Sequence, residues 1–126
     1  MQKLVPLGCC VLVVEDDLLI ALDLCAMLGK LGYTVLGPVG SVGKALALLE
    51  TKRPDVALLD EDLRGMPVTP VAEALRQSGI PFAILSGSDK SLTGDEVLIT
   101  ATRLQKPAPL AAIREVLNKL CHQLGD

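Results

Sequence analysis

Short apolar runs alternate with longer stretches in which apolar residues recur every three or four positions. Cys10 to Val14 is continuously apolar and is closed by Glu15-Asp16-Asp17, the pattern of a strand buried on both faces. Leu18 to Leu31 follows with apolar residues at helical spacing, and Gly32 supplies a stop. The only clear polar stripe on that helix is Asp23 and Lys30, so it is expected to be covered on most sides. Tyr33 to Leu36 reads as a second strand, broken by Gly37-Pro38. Ser41 is placed to cap a helix whose Val42, Ala45, Leu46 and Leu49 face inward and which ends at Arg53-Pro54. Val56 to Leu59 is a third strand running into Asp60. A polar loop from Glu61 to Thr69 precedes a helix that starts near Pro70, continues to Gln77 and stops at Ser78-Gly79. Phe82 to Leu85 is a fourth strand and Arg103 to Gln105 a fifth, with a short or irregular helix expected between Asp89 and Thr102. Leu110, Ile113, Leu117, Leu120 and Leu124 mark a last helix.

Strands alternating with helices predict an α/β fold. The expected form is a flavodoxin-like, doubly wound, five-stranded parallel sheet of order 2-1-3-4-5 with helices on both faces. The 126 residues suit one domain, residues 1–126, with no output domain after the last helix. The chain has one Phe, one Tyr and no Trp, and twelve basic against fifteen acidic residues. Neither a base-stacking platform nor a basic surface for nucleic acid or anionic lipid is encoded. The longest apolar-rich run, Leu4 to Val14, falls short of the roughly 18 residues that span a bilayer, and no cleavage signal follows it. Cys9, Cys10, Cys25 and Cys121 lack metal-ligand spacing and read as reduced thiols of a cytoplasmic protein, and His122 as a surface residue.

In a doubly wound sheet the ligand site lies outside the carboxyl ends of the strands. The polar residues after each apolar run are Glu15, Asp16 and Asp17, then Asp60, Glu61 and Asp62, then Ser86, then Lys106. Asp17 is expected to cap the first helix. Carboxylates gathered together repel unless a cation intervenes, and an all-oxygen set suits Mg²⁺. A carboxylate left facing phosphorus can attack it, and a lysine and a hydroxyl can stabilise the phosphoryl oxygens.

These features together resemble the receiver domain of two-component response regulators over essentially the whole chain. Val11-Leu12-Val13-Val14-Glu15-Asp16-Asp17 is similar to its first-strand acidic motif, and Pro54 to Asp60 to its phosphoacceptor strand. Ser86 matches the Ser/Thr switch position and Lys106-Pro107 the family lysine with its proline. The resemblance implies that Asp60 accepts a phosphoryl group from a histidine kinase or phosphotransfer protein. It implies that Asp16, Asp60, Glu15 and the Asp62 backbone carbonyl hold Mg²⁺, and that Lys106 and Ser86 contact the phosphoryl oxygens. Output would pass by contact with a downstream protein or by onward phosphotransfer, with no catalytic turnover beyond self-phosphorylation and self-dephosphorylation. Two departures stand out: Arg103 occupies the place of the switch aromatic, and Ala108 follows the proline where Phe is usual. Pro81 to Ser88 is similar to the PFxFATGY segment of a subgroup of stand-alone receivers, with Ser88 in place of Tyr.

Two other functions compete. Asp60-Glu61-Asp62 is a D-x-D of the kind used by haloacid-dehalogenase-type phosphatases, although it follows the third strand instead of the first. A receiver-like docking domain that is never phosphorylated is the other. The first helix also has more apolar positions than one buried face needs. That surplus fits a homodimer contact or burial under the last helix, and the second is the expectation.

Overall fold

The computed structural model describes residues 9–87 and 101–122. Five strands form one parallel sheet: β1 (Cys10–Val14), β2 (Thr34–Val39), β3 (Val56–Asp60), β6 (Phe82–Ser86) and β7 (Thr102–Gln105). Two two-residue strands, β4 (Asp62–Leu63) and β5 (Met66–Pro67), form a separate antiparallel ladder. The sheet order is β2-β1-β3-β6-β7. Counting the large sheet alone, that is the expected 2-1-3-4-5. The helices described are α1 (Leu18–Lys30), α2 (Val42–Thr51), α3 (Thr69–Gln77) and α4 (Leu110–His122).

Strand alternation divides the core into two layers. Val11, Val13, Val56, Leu58, Ala83, Leu85 and Leu104 face α1 and α4, where Leu24, Leu28, Ile113 and Leu117 meet them. Leu12, Val14, Ala57, Leu59 and Ile84 face α2 and α3, against Val42, Ala45, Val71 and Leu75. Every residue of β3 is buried, which is why that strand reads as an unbroken apolar run. Caps form where short polar side chains were expected. Asp17 Oδ1 accepts from the N–H groups of Leu19 and Ile20, and Ser41 Oγ from that of Lys44.

Three expectations are corrected. The second strand does not stop at Gly37-Pro38; it continues to Val39. Leu12 pairs with Leu36 but Val14 with Val39, so β2 carries one extra residue there. A bulge on an edge strand tolerates a proline that a central strand would reject. Gly37 has φ +99, and a Cβ on it would lie 3.0 Å from both Val13 O and Val39 N. Gly37→Ala should therefore cost more than about 1 kcal/mol in a urea melt, through strain at positive φ and the backbone clash together.

The stretch from Glu61 to Thr69 is not a plain loop. Arg64 and Gly65 both have positive φ, 55 and 85, and close the β4–β5 hairpin as a type I′ turn. Nor is α1 covered on most sides. Ala21, Leu24 and Leu28 are its buried stripe, whereas Leu18, Leu19 and Leu22 remain exposed at 65%, 75% and 52%. Packing of α4 does not cover them. The segment expected to form an irregular helix after Asp89 lies outside the described residues as far as residue 100, and Leu124 also lies outside.

Candidate functional site

β1 and β3 are neighbours in the sheet, so the residues that close their apolar runs emerge side by side. Glu15, Asp16 and Asp60 each present a carboxylate oxygen within 4.8 Å of the others. Glu15 is held from two directions. Its backbone N–H donates to Val39 O at 2.9 Å, and its Oε2 accepts from the Asp17 N–H at 3.1 Å. Lys106 enters from the end of β7, its backbone N–H donating to Ser86 O at 2.8 Å. Its Nζ lies 3.0 Å from Asp60 Oδ1 and 2.9 Å from Glu15 Oε1. The Lys106-Pro107 peptide is cis. Ser86 is buried at the end of β6, on the strand between Asp60 and Lys106.

Thus the structure brings Glu15, Asp16, Asp60, Ser86 and Lys106 to one edge of the sheet. The backbone of Asp62 opens β4 just past it.

Burial sets the electrostatics. The Asp60 carboxyl is pushed up to about 7, first by desolvation and further by the Glu15 charge and the Asp16 hydrogen bond, with Lys106 pulling the other way. Burial acts to lower the Lys106 ammonium, but the Glu15 and Asp60 carboxylates outweigh it and hold the group above its ordinary value.

The donor set fits a hard cation. Glu15 Oε1 is buried and accepts no aligned hydrogen bond among the described residues; its approach to Lys106 is a charge contact. In contact with the Lys106 ammonium, the Glu15 carboxylate presents an oxygen within 4.8 Å of an oxygen on each of two further carboxylates. Carboxylate oxygens are what Mg²⁺ accepts, one or two directly and the rest of its shell as water. Beside Lys106, a cavity of about 340 Å³ lined by Ile20, Leu24, Met27 and Pro107 opens between α1 and the segment after β7.

Two pairings at this edge escaped the sequence reading. Arg64, from the β4–β5 turn, places Nε 3.4 Å from Asp16 Oδ2. Arg103 forms a two-pronged contact with Glu61 at 3.2 and 3.3 Å. The hairpin signal was weak because an arginine is not a usual type I′ residue. The Arg103 pairing needed the register of three strands.

With this geometry in place, known proteins can be set beside it. No family model matches the chain. SdrG from Sphingomonas melonis Fr1, solved in solution, is 38% identical with a TM-score of 0.78, covering 90% of this chain and 96% of that one. A BeF3-activated conformation of SdrG matches at 36% identity and TM-score 0.77. The signal receiver domain of a modulated diguanylate cyclase from Desulfovibrio desulfuricans G20 has a TM-score of 0.81 at 28% identity, covering 90% of this chain and 94% of that one.

The chain belongs to the receiver-domain family of response regulators.

The transcriptional regulatory protein PdtaR of Mycobacterium tuberculosis is 40% identical over 50 residues, 40% of this chain. The match spans about a quarter, 24%, of PdtaR's length. Among the described residues, no helix of this receiver is long and apolar enough to cross a membrane.

Proposed function

We propose that this receiver accepts a phosphoryl group on Asp60 from a histidine kinase or phosphotransfer protein, in a Mg²⁺-dependent reaction. The single observation that carries the reading is the bridge of Lys106 Nζ between Asp60 and Glu15, beside Asp16 in the oxygen cluster. Glu15, Asp16 and Asp60 would hold the cation, with the Asp62 carbonyl as a further ligand. When bound, Mg²⁺ supplies positive charge that offsets repulsion between these carboxylates and an incoming phosphoryl group.

An ionised Asp60 oxygen attacks phosphorus. The new O–P bond forms as the donor's P–N bond breaks, and the freed imidazole retains the electron pair and takes up a proton. Lys106, already placed against Asp60, stays close to the phosphoryl oxygens, and the Ser86 hydroxyl turns toward them. Neither group is consumed. The product is a mixed carboxylic–phosphoric anhydride on Asp60.

The activated conformation known for SdrG supports a switch of this kind in a relative. Pro81, Phe82 and Gly87 support placing the chain in the PFxFATGY-like subgroup. The exposed Leu18, Leu19 and Leu22 of α1 offer an apolar surface to a protein partner, or to a second copy. Four free cysteines fit a cytoplasmic setting. Signalling by protein contact or onward phosphotransfer follows from the same reading.

The test is labelling by a small acyl phosphate in Mg²⁺. Wild type should be labelled stoichiometrically, and Asp60→Asn should not be labelled. Continuous release of phosphate from simple phosphomonoesters would favour the D-x-D phosphatase instead.

A further inference from the structure

Arg103 stands three residues before Lys106, and its partner Glu61 is the residue after Asp60. The strand register explains how they meet. Arg103 pairs with Ile84 in the ladder, and Ile84 packs against α2 and α3, so Arg103 lies on that face of the sheet. Alternation puts Ser86 on the same face. Glu61 extends the β3 ladder by one bond, its N–H donating to Leu85 O at 3.1 Å, and alternation turns it to this face too. The guanidinium therefore reaches across β6, at the level of Ser86, to a carboxylate fixed beside the acceptor.

Glu61 cannot move freely. Its N–H is held by Leu85 O, and its carbonyl accepts from the Val68 N–H at the start of α3. Its side chain is 4% exposed, so water screens its charge poorly. Alternation turns the Glu61 and Asp60 side chains to opposite faces of the strand end, but consecutive α-carbons are about 3.8 Å apart, so this charge stays within a Debye length, about 10 Å, of the Asp60 pocket. That pocket already holds Glu15, Asp16 and Asp60, and a phosphoryl group would add further negative charge. The planar fork of an arginine matches a carboxylate at two points and keeps its charge at every working pH.

We propose that Arg103 is a positioning residue that neutralises Glu61, so that the neighbouring pocket can accept an anionic phosphoryl donor. The inference rests on the reading of Asp60 as acceptor. It assigns the position of the missing switch aromatic an electrostatic task. A purely mechanical stitch between β7 and β3 is the competing account, and the two differ in sign. Cutting a stitch from either end has the same effect. Removing one charge or the other has opposite effects.

The experiment measures initial labelling rates at saturating Mg²⁺ with acetyl phosphate and with the less charged phosphoramidate. Arg103→Ala should slow labelling by acetyl phosphate about tenfold, the order expected for one poorly screened charge at this range. The loss should be smaller with phosphoramidate and with Arg103→Lys. Glu61→Gln should be labelled at least as fast as wild type, and the double variant E61Q/R103A should recover most of the wild-type rate. Equal slowing of both single variants without recovery in the double would overturn the inference, as would a wild-type rate in Arg103→Ala. Should Arg103→Ala fail to fold, Glu61→Gln alone decides: slowed labelling overturns the inference and unslowed labelling supports it. Absence of labelling in wild type would overturn the acceptor reading and this inference with it. A labelled wild type and unlabelled Asp60→Asn, with either adverse pattern above, would overturn this inference alone.

Discussion

Metal-free Asp60→Asn is expected to be more stable than wild type at pH 8 and no more stable below pH 4. Burial, reinforced by Glu15, pushes the Asp60 carboxyl from an ordinary 3.8 to about 7 in the folded domain, against the pull of Lys106. The folded state therefore binds this proton more tightly than the unfolded chain does. Asp60's contribution is fully favourable below the unfolded value and is lost as pH rises through the folded one. By pH 8 the ionised group costs on the order of 4 kcal/mol, and an amide that cannot ionise escapes that cost. The check is the urea midpoint followed by far-ultraviolet circular dichroism, since the chain has one Tyr and no Trp to report by fluorescence. Mg²⁺ should narrow the gap at pH 8, because a cation bound to the folded state stabilises wild type by mass action. A wild type that instead gained stability over Asp60→Asn between pH 4 and pH 8 would contradict the electrostatics of the site.

Lys106→Met should have an effect of similar size and opposite direction. The ammonium is the cation that touches both Glu15 and Asp60, whose side chains are 1% and 10% exposed. Removing one partner of a buried ionic cluster leaves the others desolvated, at a cost of about 3–5 kcal/mol. Methionine keeps most of the aliphatic volume, so the loss is electrostatic. It should be largest at pH 8 and should shrink as pH falls through 7 and Asp60 takes up a proton. Urea titrations of Lys106→Met beside wild type at pH 8 and pH 5 measure it. A loss under about 1 kcal/mol at both would mean that water already screens the cluster, as at a surface pair.

How much of this was legible depended on where each strand sits. β1, β3 and β6 are central, buried on both faces, and wrote themselves as continuous apolar runs ending in the polar residues that form the site. Asp60, Asp16, Glu15 and Ser86 were visible for that reason, whereas Lys106 follows the edge strand β7 and was marked by the proline after it. β2 lies at the edge, and its bulge at Gly37-Pro38 looked like a strand end because turn residues and bulge residues are the same kinds. The β4–β5 hairpin was hidden because Arg64, not Asn or Asp, takes the positive φ beside Gly65. The apolar surplus of α1 was seen, but periodicity cannot say whether Leu18, Leu19 and Leu22 are covered. Side chains that meet across strands were beyond reach. Arg103 and Glu61 are 42 positions apart, and the buried Cys9 and Cys121 thiols, 3.1 Å apart, are separated by 112. Such contacts exist only once the register is known.

The most direct test of the central claim is the mass of the intact protein after exposure to acetyl phosphate with Mg²⁺, followed by peptide mapping. The account predicts one added phosphoryl group, on the peptide containing Asp60, absent in Asp60→Asn and absent when the cation is chelated. A phosphoryl group on a different peptide, or equal gain in wild type and Asp60→Asn, would contradict it.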